Sequence, residues 1–165
     1  MTLPTLTTKW NYSGDNFVIQ IPLTERFALQ DLMTDYCYAV DKLTDVEELL
    51  DLFTDDAVLD FSGIGLPAMP GKSSFRKFYE DVFADMSHHT HYISNFRVEH
   101  YDGVKGTMRA YVQGLGRSND GNEVHVHVRY RMDCVKTDAG WKFEKYSINA
   151  GMPLPGSLDE IHGDH

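Results

Sequence analysis

From Thr24 the chain repeats apolar residues at steps of three and four. Within TERFALQDLMTDYCYAVDK, Leu29, Met33, Tyr36 and Val40 fall on one side of a helix, with Thr24 in the N-cap position. A second, short helix is predicted over about 45–53, capped by Asp45, with Leu49, Leu50 and Phe53 turned inward. An apolar stretch around Ala57–Phe61 follows, and Gly63, Gly65, Pro67, Pro70 and Gly71 read as loop. A third helix, about 73–86, gathers Phe75, Phe78, Tyr79, Val82 and Phe83 on one face. The period then changes to two, and long strands are expected at about 91–100, 105–117, 123–136 and 141–149. Asp102-Gly103, Asn119-Asp120-Gly121 and Asp138-Ala139-Gly140 supply the turns of an antiparallel meander. Helices first and a meander last make an α+β domain and exclude a doubly wound parallel sheet.

A length of 165 residues fits one domain. Residues 1–23, with a Ser-Gly-Asp-Asn turn, read as an irregular arm, 24–150 as the folded domain and 151–165 as a tail ending in acidic residues and histidines. The balance of 25 Asp and Glu against 15 Lys and Arg gives a formal charge of −10, which argues against nucleic acid or an anionic membrane as the partner. Cys37 and Cys134 show no paired spacing, so neither a disulfide scaffold nor a zinc module is expected. With no apolar run of signal-peptide or membrane-span length, the sequence reads as cytoplasmic. Neither a Gly-rich phosphate loop nor a G-x-S-x-G elbow occurs.

Several polar residues exceed what the pattern needs. Asp41 ends the first helix at the edge of its apolar stripe, where an acid opposes the helix dipole. His88, His89 and His91 cluster where the third helix gives way to a strand, the place for a base that titrates near neutrality or for an ordinary polar turn. In HVHVRYRM, His125, His127 and Arg129 share one strand face, while Val126, Val128 and Tyr130 share the other. If the polar face is outermost these are solvated residues; if it lines a cavity, His127 and Arg129 become donors to a substrate oxygen. Ser147 and Asn149 on the last strand pose the same choice. No third ligand converges on His125 and His127, so no metal is expected.

The strings LQDLMTDYCYAVDK, DDAVLDFSGIG, HTHYISN and WKFEKYSIN resemble the SnoaL-like branch of the nuclear-transport-factor-2-like fold, nearest the scytalone dehydratase and hexachlorocyclohexane dehydrochlorinase group. The resemblance covers about residues 24–150 and implies a cone-shaped α+β barrel, three N-terminal helices beside a curved, mostly antiparallel sheet, with a deep apolar pocket. It places an Asp-His catalytic dyad on Asp41 of AVDK and His91 of HTHY. It also sets His127, Ser147 and Asn149 against pocket positions of the scytalone dehydratases, and Tyr36 against a tyrosine of the bile-acid dehydratases. Where the scytalone enzymes carry further tyrosines this chain has Val40 and, near Leu59 to Phe61, none; Phe61 is the candidate wall residue there.

The expectation is a cofactor-independent lyase. His91 abstracts a C–H proton, Asp41 orients and balances it, and Tyr36, His127, Arg129, Ser147, Asn149 and Phe61 contact a small cyclic or aromatic substrate that loses water or another β leaving group. The rivals are a non-catalytic binding protein or assembly subunit, and an isomerase or cyclase of the same fold. Four long strands against three modest helices leave a sheet face uncovered, which predicts a homodimer or homotrimer.

Overall fold

The computed structural model describes residues 19–156, so most of the predicted arm and the end of the predicted tail lie outside the described residues. Helix α1 (Leu23–Lys42) buries Leu29, Met33, Tyr36 and Val40, as its periodicity requires. Thr24 lies inside it. The N-cap is Pro22, which makes no side-chain cap, though its carbonyl accepts the Arg26 N–H at 3.0 Å. The helix stops where Leu43 turns left-handed at φ 55°. Helix α2 is only Val46–Leu50, with the Asp45 carboxylate accepting from the N–H groups of Glu47 and Glu48.

Phe53, expected on that second helix, instead opens strand β1 (Phe53–Gly63). The cause is long-range: β1 pairs in parallel with the last strand, Phe53 opposite Phe143, and the Phe143 N–H donates to the Leu52 carbonyl at 2.8 Å. The Gly/Pro segment read as loop contains a three-residue strand, β2 (Ala68–Pro70), antiparallel to β1. Helix α3 (Lys72–Asp85) passes directly into strand β3 (Met86–Tyr101), which begins five residues before the position the sequence suggests. His88 and His89 therefore belong to a strand and not to a turn.

Strands β4 (Lys105–Ser118), β5 (Glu123–Thr137) and β6 (Gly140–Ala150) complete the meander through the predicted turns. The sheet order is β2-β1-β6-β5-β4-β3, with β1–β6 the parallel neighbours. The result is a mixed α+β fold, a curved and unclosed six-stranded sheet with helices packed on one face. Between them lies an aromatic core that includes Phe53, Phe75, Tyr79, Phe143 and Tyr146, all fully buried.

Candidate active site

Asp41 sits in the last turn of α1, and His91 lies on the face of β3 that this turn covers. His91 reaches Asp41 twice: its backbone N–H donates to Oδ2 at 2.9 Å, and its ring Nδ1 lies 2.6 Å from Oδ1. The His91 side chain is 10% exposed and that of Asp41 21%. An acid so placed keeps a proton on Nδ1 and leaves Nε2 as the free, basic nitrogen. Directly across the ladder stands Gly114, and a Cβ there would lie 3.4 Å from His91 Nε2 and Cδ2. Gly116 faces His89 in the same way, with its added Cβ 3.2 Å from the His89 ring. Two glycines two residues apart on β4 thus leave room for two imidazoles on β3.

His91 opens into a cavity of about 90 Å³ between the sheet and helices α1 and α3. Tyr36, Phe61, Tyr79, His89 and Tyr130 share its lining, and the remaining wall is aliphatic or Phe78. Among the described residues no Lys, Arg, Asp or Glu lines it; Asp41 acts on the cavity through His91. The hydroxyls of Tyr36 and Tyr79 are hydrogen-bonded at 2.8 Å. Burial holds the phenols of Tyr36, Tyr79, Tyr130 and Tyr146 well above the ordinary tyrosine range, so all four are neutral O–H groups. Cys37, one turn before Asp41, is pushed up to about 12, first by burial and then by the Asp41 charge, and stays a thiol.

Of the residues singled out in the sequence, Asp41, His91, Tyr36 and Phe61 come together here. His127, Arg129, Ser147 and Asn149 do not. Val124, Val128 and Tyr130 are the buried residues of that end of β5, which turns His127 and Arg129 to the opposite sheet face. There they line an open groove of about 450 Å³ with Tyr92, Tyr111 and Gln113. The same alternation buries Tyr146 and Ile148 on β6 and turns Ser147 and Asn149 away; the Asn149 side chain rests over Gly63. Tyr79 and Tyr130 are cavity residues that the sequence did not mark as functional, and His89 is one it left open within the cluster of His88, His89 and His91. The two tyrosines sit on apolar faces and read as core; for His89 the signal was its two-residue spacing from His91.

The His125 and His127 rings lie with centroids 4.8 Å apart, tilted by 35°, on the outer face. Among the described residues, the group spaced to hold a metal is instead Asp41, His89 and His91, each offering an atom within 4.8 Å of the others. Both Asp41 oxygens are already engaged by His91, so this cluster is built first as a histidine and its orienting acid.

A SnoaL-like domain model matches residues 22–147, the helices and nearly the whole sheet. The chain belongs to the SnoaL-like family. Among SnoaL-like relatives, hexachlorocyclohexane dehydrochlorinase 1 of Sphingobium indicum is 30% identical over 138 residues, covering 81% of this chain and 88% of its own. A candidate aromatic ring hydroxylase from Novosphingobium aromaticivorans superposes with a TM-score of 0.83 at 47% identity, over 86% of this chain and 99% of that one. A candidate scytalone dehydratase from the same organism, TM-score 0.72 at 24% identity over 79% and 86% of the two chains, shares the fold.

Proposed function

We propose that this SnoaL-like protein is a cofactor-independent lyase of the dehydratase type, and the observation that carries this reading is the two-point contact between Asp41 and His91 at the cavity wall. His91 Nε2 takes a proton from a carbon made acidic by a neighbouring carbonyl. Asp41 holds the productive tautomer and balances the imidazolium as it forms. The Tyr36–Tyr79 hydroxyl pair donates to the substrate oxygen, where enolate charge develops in a water-poor setting. A lining without cations selects a neutral molecule, and the cavity volume restricts it to a small one. A ring enters by displacing wall side chains, since even benzene fills a cavity of about 150 Å³.

The base and its orienting acid both come from the chain itself, so the chemistry calls on no metal or organic cofactor. The 30% relatives named as dehydrochlorinases support elimination as the reaction type. Isomerisation and cyclisation begin with the same proton abstraction. Among the described residues no helix is long and apolar enough to cross a membrane; the reading includes a cytoplasmic enzyme that assembles as a homodimer or homotrimer. The 47% neighbour is named as an aromatic ring hydroxylase, which supports an aromatic ring in the substrate; a purely structural subunit, the rival reading, has no use for an oriented imidazole.

The test is a panel of small cyclic β-hydroxy and β-halo ketones, with the unsaturated product followed by absorbance. Wild-type protein turns over at least one member, and His91→Ala loses about 10²–10⁴ in rate. Near-normal turnover by His91→Ala overturns the assignment and leaves the subunit reading ahead.

A further inference from the structure

Removal of a proton is half of a dehydration. Hydroxide is a poor leaving group, so the departing oxygen must receive a proton as its bond to carbon breaks. The cavity offers four side chains able to give one, His89, Tyr36, Tyr79 and Tyr130. Tyr36 and Tyr79 share one hydrogen bond, and the proton it leaves free is the one assigned above to the substrate carbonyl oxygen. Tyr130 is not part of that hydrogen bond. Its ring lies 6.3 Å from that of His91 and 6.0 Å from that of Tyr36, between the base and the oxygen-binding pair. Behind it the Tyr146 ring packs at 5.0 Å; among the described residues the buried Tyr146 hydroxyl makes no hydrogen bond of full geometry, and its interaction with Tyr130 is that of a donor toward the Tyr130 oxygen. The Tyr130 proton is therefore not spent on its nearest phenol and remains available to a ligand.

We propose that Tyr130 is the catalytic acid that protonates the leaving oxygen, a role that rests on His91 being the base. Electrons and protons balance within the site. His91 Nε2 takes the C–H proton, and that bond's electron pair becomes the new carbon–carbon π bond by way of the enolate. The C–O pair leaves with oxygen, which takes the Tyr130 proton and departs as water. The tyrosinate then recovers a proton from the His91 imidazolium, and both residues return to their starting state. The direction of transfer is favourable, because an oxygen on its way to hydroxide is far more basic than a phenolate. Burial keeps Tyr130 protonated until that moment. His89 is the weaker candidate: it stands beside His91 on one strand, ring centroids 4.8 Å apart, and so meets the substrate from the same side as the base.

An acid of this kind matters in proportion to how badly the leaving group needs a proton. The experiment compares 3-hydroxycyclohexanone with 3-chlorocyclohexanone, the latter corrected for its spontaneous elimination, as kcat/KM for wild type, Tyr130→Phe, His89→Gln, His91→Ala and Tyr146→Phe. Tyr130→Phe is expected to lose about 100-fold on the hydroxy ketone, in the range of general acid catalysis, and less than about 5-fold on the chloro ketone. Tyr146→Phe, which removes the hydroxyl behind it, changes both by a similar small factor. Equal losses on the two probes in Tyr130→Phe, or a leaving-group effect found in His89→Gln instead, overturn the proposal while the dyad stands. Full activity in His91→Ala, or no wild-type turnover of either probe, overturns the dyad and the role of Tyr130 with it.

Discussion

An aspartate in the last turn of a helix meets the negative end of the helix dipole and is worse off for it. Asp41 is held there by two hydrogen bonds from one residue fifty positions away, a backbone N–H and a ring nitrogen. That arrangement fixes the imidazole as well as the acid. Asp41→Asn should therefore keep the fold yet lose about 10²–10⁴ in kcat/KM, because an amide can stabilise the unproductive tautomer and cannot balance imidazolium charge. Thermal melts and kcat/KM of the variant and the wild type check both points. Asp41 and His91 were legible because each sits in a distinctive string, and the two strings support one another. His127, Arg129, Ser147 and Asn149 misled for a single reason: alternation shows which residues share a face, but which face meets the cavity is decided by the apolar residues between them.

Elements were legible where local pattern governs and illegible where a distant partner does. Helix α1 and the β4–β6 turns follow from periodicity and glycine placement. The start of β1 follows from β6, and β2 exists through its pairing with β1. On β3, Asn95 adopts φ 58° within a register shift between Ser94 and Arg97, and Ile93 and Phe96 both pack on the core despite their odd spacing. The β1–β6 crossing is the tightest approach with a testable cost. A Cβ on Gly63 would lie 2.4 Å from the Ile148 carbonyl oxygen and 2.5 Å from Asn149 Oδ1. Backbone cannot yield there as a side-chain tip can. Gly63→Ala should destabilise by about 1–3 kcal/mol, the range for overpacking, and lower the melting temperature. An unchanged melt would show that the two strands separate freely.

The molecule as a whole closes its core with phenols contributed by α1, α3, β5 and β6 (Tyr36, Tyr79, Tyr130 and Tyr146). All four are held above the ordinary tyrosine range by burial. A group whose folded pKa exceeds its unfolded one contributes stability that is complete below the unfolded value, about 10 for tyrosine, and is lost as pH rises beyond it. Absorbance at alkaline pH should show these four ionising only as the fold opens; the exposed tyrosines among the described residues are Tyr38, Tyr92 and Tyr111. The last two stand on the sheet face away from the helices, Tyr92 64% and Tyr111 48% exposed, with the Arg129 guanidinium 5.7 Å above the Tyr111 ring. Aromatic rings beside arginine are the composition of a protein interface, and a stable one buries about 1,200–2,000 Å² in all. This face, not the cavity, is where His127 and Arg129 belong, and it is the surface on which we expect a second or third copy to pack. Sedimentation at micromolar concentration should give a homodimer or homotrimer, and Tyr92→Glu with Tyr111→Glu should shift it toward monomer while the melting temperature reports an intact fold. A wild-type monomer would remove this role from the face and leave the groove to solvent.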